Sequence, residues 1–141
     1  MTLRYLLDTC VISEFVRLKP DRMVVDWLNS VEADRVFLSV VTLGEIQYGI
    51  SQLPASNRRT ALEVWLNVEL MKQFAGRLLP LDEATFITWG QMAAQQKQQG
   101  ESMSVMDSLI AATALQHKMV LVTRNVSDFK MTGLSVYNPW E

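Results

Sequence analysis

Three short apolar runs, set among segments of helical spacing, constrain the fold of this chain more than any other feature. Tyr5 to Leu7, Val36 to Val41 and Met119 to Thr123 are nearly continuous in aliphatic and β-branched residues. That is the pattern of strands covered on both faces rather than the alternation of a half-exposed sheet. Between them the spacing turns helical. Val24, Val25, Leu28 and Val31 follow Asp21, and Leu62, Trp65, Leu66, Val68 and Leu70 follow Ser56, with Asp and Ser placed as N-caps. Further helices are predicted over Val11 to Leu18, Leu43 to Gln52, Glu83 to Gln99 and Val105 to His117. Pro20, Pro54, Pro80 and Gly100 fall between these segments, where helix breakers belong. Strands alternating with helices call for right-handed crossovers. The prediction is therefore an α/β three-layer sandwich with a central parallel sheet flanked by helices. Open sheets of this kind bind ligands at the carboxyl ends of their strands.

At 141 residues and 49% hydrophobic content the chain suits one domain, residues 1–141, with a continuous core. Its formal charge of −2 gives no overall positive field, so any contact with nucleic acid has to be local. Cys10 is the only cysteine, which excludes an internal disulfide and a Cys-based zinc site and suits a reducing compartment such as the cytoplasm. No apolar run reaches the length of a membrane span, and the N-terminal run is too short for a signal peptide.

Three acids stand at positions where such a sheet would gather ligands. Asp8 closes the first strand, Glu45 follows the second, and Asp107 lies early in the last long helix. Each has an ordinary explanation. Asp8 is a good N-cap, Glu45 closes a capping box with Thr42, and Asp107 stands three residues after Ser104 in the same way. Taken together they predict three carboxylates in one crevice. Without a cation such a group repels itself and its pKa values rise, and a divalent ion removes that cost. An all-oxygen set favours Mg²⁺, with Mn²⁺ an alternative, over zinc. A fourth cluster, Thr123 to Phe129, leaves the last strand at the same edge. There Thr123 and Asn125 are candidates to orient a water, Arg124 to meet a phosphate, and Asp128 reads as a turn former.

The segments LLDTCVISE, SVVTLGEIQYGI, SVMDSLIAATALQH and LVTRNVSDF, with the tail Asn138-Pro139-Trp140, resemble the PIN-domain ribonuclease toxins of the VapC type, within them the FitB-like group. The resemblance runs from Leu6 to Trp140. It implies a PIN-like fold and a Mg²⁺- or Mn²⁺-dependent endoribonuclease, the toxin half of a type II toxin–antitoxin pair. By position Asp8, Glu45 and Asp107 match the family's metal-binding acidic triad, and Asn125 falls on a fourth catalytic position that varies between Asp and Asn. Cys10 stands where many relatives have Asn. The resemblance also implies a small cognate antitoxin packing near Phe15 and Trp27, operator DNA bound only through that antitoxin, and a homodimer.

Other residues are read more plainly. His117, the only histidine, ends a helix and is expected to cap it or be solvated. Trp27, Trp65, Trp89 and Phe15 fall within helical periodicities and are expected in the core or an interface. Lys19, Arg22, Arg58, Arg59, Arg77 and Lys97 are candidates for local grip on RNA. Two rival functions remain. A phosphotransfer domain using Asp8 as nucleophile would want a second acid where Cys10 stands. A catalytically silent PIN-like module would act only by binding an antitoxin and, through it, operator DNA.

Overall fold

The computed structural model describes residues 2–141. Five parallel strands form its sheet, in the order β3-β2-β1-β4-β5. They are β1 (Tyr5–Leu7), β2 (Val36–Ser39), β3 (Leu78–Leu79), β4 (Val120–Val122) and β5 (Val136–Tyr137). Helices α1 (Thr9–Glu14) and α2 (Arg22–Ser30) join β1 to β2. From β2 to β3 run α3 (Val40–Ser51), α4 (Asn57–Val64), a π-helical turn (Trp65–Leu70) and α5 (Met71–Gln73). Helices α6 (Glu83–Gln98) and α7 (Val105–His117) lead to β4, and α8 (Val126–Phe129) to β5. None of the helices among the described residues is long and apolar enough to cross a membrane.

Alternate strand residues divide the interior into two cores, which gives the three layers their physical basis. Leu7, Leu38 and Val122 pack with Val11, Ile12, Ile46, Leu66, Leu70 and Phe74 on one face. Leu6 and Leu121 pack with Met92 and the Leu109–Ala114 face of α7 on the other. Leu66, Leu70 and Phe74 follow one another at a spacing of four, which drifts around a helix of 3.6 residues per turn. The wider π turn at Trp65–Leu70 reduces that drift.

The expected strands and helices are present, with boundary changes that have identifiable causes. β3 and β5 were not predicted, because two residues carry no periodicity and both strands exist only by pairing, Leu38 with Leu78 and Val122 with Tyr137. The second strand stops at Ser39 instead of Val41, since the Ser39 hydroxyl accepts from the Val41 amide at 3.0 Å and starts α3 there. α1 stops at Glu14 instead of Leu18. The buried Glu14 carboxylate accepts from the Asp21 amide at 2.8 Å and pairs with Arg17 at 2.9 Å, which folds the intervening residues back as a loop. The N-caps Asp21 and Ser56 are as expected. His117 does not cap α7: Lys118 closes the helix in a left-handed conformation, φ 55°, while His117 is half-buried, its Nε2 out of solvent without a partner among the described residues.

Arg77 is not available for RNA. Its guanidinium donates to the carbonyls of Val36 (2.6 Å), Ala33 and Gln73, and stacks on Phe74 at 4.9 Å, tying the start of β2 to the start of β3. Arg77→Ala should lower unfolding free energy by about 2 kcal/mol, the loss expected when a set of charged hydrogen bonds, one of them part-buried, is removed. Urea denaturation measures it; an unchanged midpoint would show the fork to be ornamental.

Candidate active site at the carboxyl edge of the sheet

The strand order reverses about β1, so the crevice of the fold lies between the carboxyl ends of β1 and β4. Leu7 pairs with Val122, and the next rung continues that register, with the Asp8 amide donating to the Val122 carbonyl at 2.9 Å. Asp8 and Thr123 therefore stand side by side just beyond their strands. The Thr123 hydroxyl donates to Asp8 Oδ2 at 2.7 Å and accepts from the Asn125 amide at 3.0 Å. The other carboxylate oxygen, Oδ1, accepts from the Thr9 amide at 2.8 Å as the N-cap of α1. Asp8 is only 4% exposed, so a carboxyl has been carried into the interior with both of its oxygens hydrogen-bonded.

Glu45 arrives from the other side of β1. Because α3 begins directly off β2, Glu45 lies well inside the helix and makes no capping box with Thr42. Its Oε1 instead accepts from the Thr9 hydroxyl at 2.6 Å, beside Thr42 Oγ1 at 3.2 Å from the same hydroxyl. Burial pushes the Glu45 carboxyl above its ordinary pKa, the Thr9 bond opposes this, and the charges of Asp8 and Asp107 add to the rise. Asp107, in the first turn of α7, has its amide bonded to Ser104 Oγ at 3.2 Å. Its carboxyl is likewise raised, first by burial, then by Asp8, with Asp128 contributing. The three acids thus lie within one another's field. Among the described residues, however, no three His, Cys, Asp or Glu side chains close into a ready-made metal cage.

These elements match a PIN domain model over residues 5–132. The chain belongs to the PIN-domain family. This PIN domain is 38% identical over 135 residues to a VapC ribonuclease, Y4jK, of Sinorhizobium fredii, covering 96% of each chain. It is 37% identical to the toxin FitB of Neisseria gonorrhoeae, covering 96% of this chain and 97% of that one. A solved structure of FitAB bound to a DNA fragment superposes with a TM-score of 0.91 at 36% identity, covering 97% of this chain and 96% of its counterpart.

Within the PIN domain, several residues stand differently from their sequence reading. Thr123 holds the Asp8 carboxylate, so its hydroxyl proton is committed there and not to a water. Asn125 is exposed, and its side chain makes no capping bond to α8. Asp128 does form the expected turn, its amide donating to the Asn125 carbonyl at 3.0 Å, but it also lines one cleft with Asp107. Its offset of three from Asn125 at the start of a helix was the available signal. The Cys10 thiol lies 3.8 Å from Asp8 Oδ2 and 3.6 Å from Thr123 Oγ1. Burial is the main cause that pushes its thiol above the ordinary pKa. Trp27, Trp65, Trp89 and Phe15 are partly buried against the two cores. Trp27 lies 5.2 Å from the Tyr5 ring and 5.4 Å from Tyr137, and Trp89 Nε1 donates to Ser108 Oγ at 2.9 Å.

Proposed function

We propose that this PIN domain, acting as one unit over residues 1–141, is the toxin of a type II toxin–antitoxin pair. Its activity would be Mg²⁺-dependent endonucleolytic cleavage of RNA, with Mn²⁺ able to replace Mg²⁺. In this reading Asp8, Glu45 and Asp107 hold the metal, and Asn125 joins them as a neutral catalytic member. The observation that carries it is the gathering of three partly or fully buried carboxyl groups at one sheet edge, close enough for Glu45 and Asp107 each to be raised by Asp8. It is supported by relatives named as a ribonuclease and a toxin.

The donor set fits a hard divalent cation, being all oxygen with no imidazole. Mg²⁺ retains several waters and takes few direct carboxylates, which suits acids that share a field without forming a closed cage. When bound, such an ion supplies Lewis acidity toward a phosphoryl oxygen and an acidified water as nucleophile. The chain supplies the rest. Thr123 and the Thr9 amide fix Asp8, the Thr9 hydroxyl aims Glu45, and the N-terminus of α7 offsets part of the charge on Asp107. The exposed Asn125 amide is free to bond the substrate or an ordered water.

The same reading makes a small cognate antitoxin the inhibitor, with operator DNA bound only through it, as suits the likeness to a FitAB complex on DNA. A homodimer in the cytoplasm completes it. Purified protein incubated with mixed RNA should cleave in Mg²⁺ and stop when chelator is added. Cleavage that survives chelation would remove the metal from the mechanism. Absence of cleavage in every divalent cation would favour the silent binding module.

A further inference from the structure

The acid-lined crevice creates a difficulty for the reaction proposed above. A polyanionic strand must approach Asp8, Glu45, Asp107 and Asp128 in a protein whose net charge is already −2. A cation held at the same edge would solve it, and two of the basic residues singled out by sequence are tied up elsewhere. Arg77 is committed to backbone carbonyls, and Arg59 to Glu63 and the Leu53 carbonyl. Arg124 is different. It sits between Thr123, which holds Asp8, and Asn125, and its backbone N–H faces the Cys10 thiol. Its side chain is exposed, and its guanidinium takes part in no salt bridge among the described residues.

The guanidinium nevertheless has a seat. It lies over the Trp140 ring, 5.4 Å from the centroid. Trp140 in turn packs against the core that contains Val11 and Val122, and its backbone N–H donates to Asn138 Oδ1 at 2.9 Å. A cation on an aromatic face keeps its in-plane N–H donors available while losing rotamer freedom in advance. That is the arrangement expected of a group that grips a phosphate in a bidentate manner without first paying the cost of being ordered.

We propose that Arg124, seated on Trp140, is a substrate-positioning residue that binds a phosphate of the RNA strand flanking the cleaved bond. The inference rests on the ribonuclease reading of the site. Its test separates the two by measuring binding and turnover independently. Binding is followed by fluorescence anisotropy of a labelled single-stranded RNA in Mg²⁺ over a series of salt concentrations, using Asp8→Asn protein so that the strand stays intact. Adding Arg124→Ala should weaken binding roughly 10-fold. It should also reduce the slope of log K against log salt by about 0.7, one phosphate contact on a single strand. Arg124→Lys should restore the slope and only part of the affinity, because an ammonium keeps the charge and loses the fork. Trp140→Leu, which keeps apolar bulk but removes the ring face, should weaken binding by less than Arg124→Ala. In turnover, Arg124→Ala on the otherwise native protein should raise KM and leave kcat nearly unchanged.

Arg124→Ala with native affinity and native salt slope would overturn the proposal, as would a loss confined to antitoxin binding. Native protein that binds RNA with the expected Arg124 dependence but cleaves none would overturn the nuclease reading and leave the phosphate contact standing.

Discussion

Asp8→Asn should abolish RNA cleavage while leaving the protein folded and at least as stable. Asn is as good an N-cap as Asp, so the bond from the Thr9 amide to Oδ1 survives. The Thr123 hydroxyl can turn to accept from the new amide, so the second contact survives as well. What disappears is one negative charge at a 4% exposed position beside two other acids. Loss of partners one shell further from a metal typically costs 10- to 100-fold, so loss of a direct carboxylate should lower the cleavage rate by about 100-fold or more. The melting temperature without metal should hold or rise, because repulsion is relieved. Cleavage assays beside thermal melts decide between the two accounts of this residue. An Asp8→Asn protein that cleaves normally would reduce Asp8 to a helix cap.

Glu45→Gln should produce a comparable loss of cleavage, again on the order of 100-fold, together with a gain in stability that depends on pH. Gln keeps the oxygen that accepts from Thr9 and loses the charge. In the native protein the folded Glu45 pKa is raised, by burial first and then by Asp8 and Asp107 against the Thr9 bond. The folded state then holds its proton to higher pH than the unfolded chain does. Between the ordinary glutamate value and the raised one, stability falls as pH rises, and above that window the penalty is present in full. In chelator the variant should therefore match the native protein at acid pH and exceed it at neutral pH. Asp82, whose carboxyl is lowered chiefly by the Thr85 amide, works in the opposite direction but equally in both proteins, so it cancels from the difference. Mg²⁺ should stabilise the native protein most at neutral pH and the variant less. Urea denaturation across pH measures this, and a difference independent of pH would mean that Glu45 carries no unfavourable charge.

Both experiments turn on a feature that sequence reading located but could not weigh. Glu45 looked like the far end of a capping box with Thr42, a purely local explanation. It fails because Ser39 starts α3 three residues earlier. That start was hidden because Val40 and Val41 prolong the apolar run of β2 without a break. Asp128 and Arg124 were likewise visible in the sequence, yet their roles depend on what faces them. Asp107 stands 21 residues away from Asp128 along the chain, and Trp140 stands 16 away from Arg124. Arg77 shows the converse, a residue read as surface charge that the fold uses as a backbone clamp.

By itself the sequence determined the alternation of strands and helices, the N-caps at Asp21 and Ser56, the placement of Asp8 and Glu45 just beyond strands of one sheet, and that of Asp107 early in the last long helix. These follow from periodicity and local hydrogen bonding, which a few neighbouring residues decide. Tertiary structure alone decided the two-residue strands β3 and β5, which exist only through their partners. It also decided that Asp8 stands beside Thr123, through the β1–β4 register, and that Glu45 meets Thr9 instead of its own helix cap. Local sequence thus reads all three acids as capping residues, a role the fold leaves only to Asp8, and the tertiary structure is what brings them into one another's field.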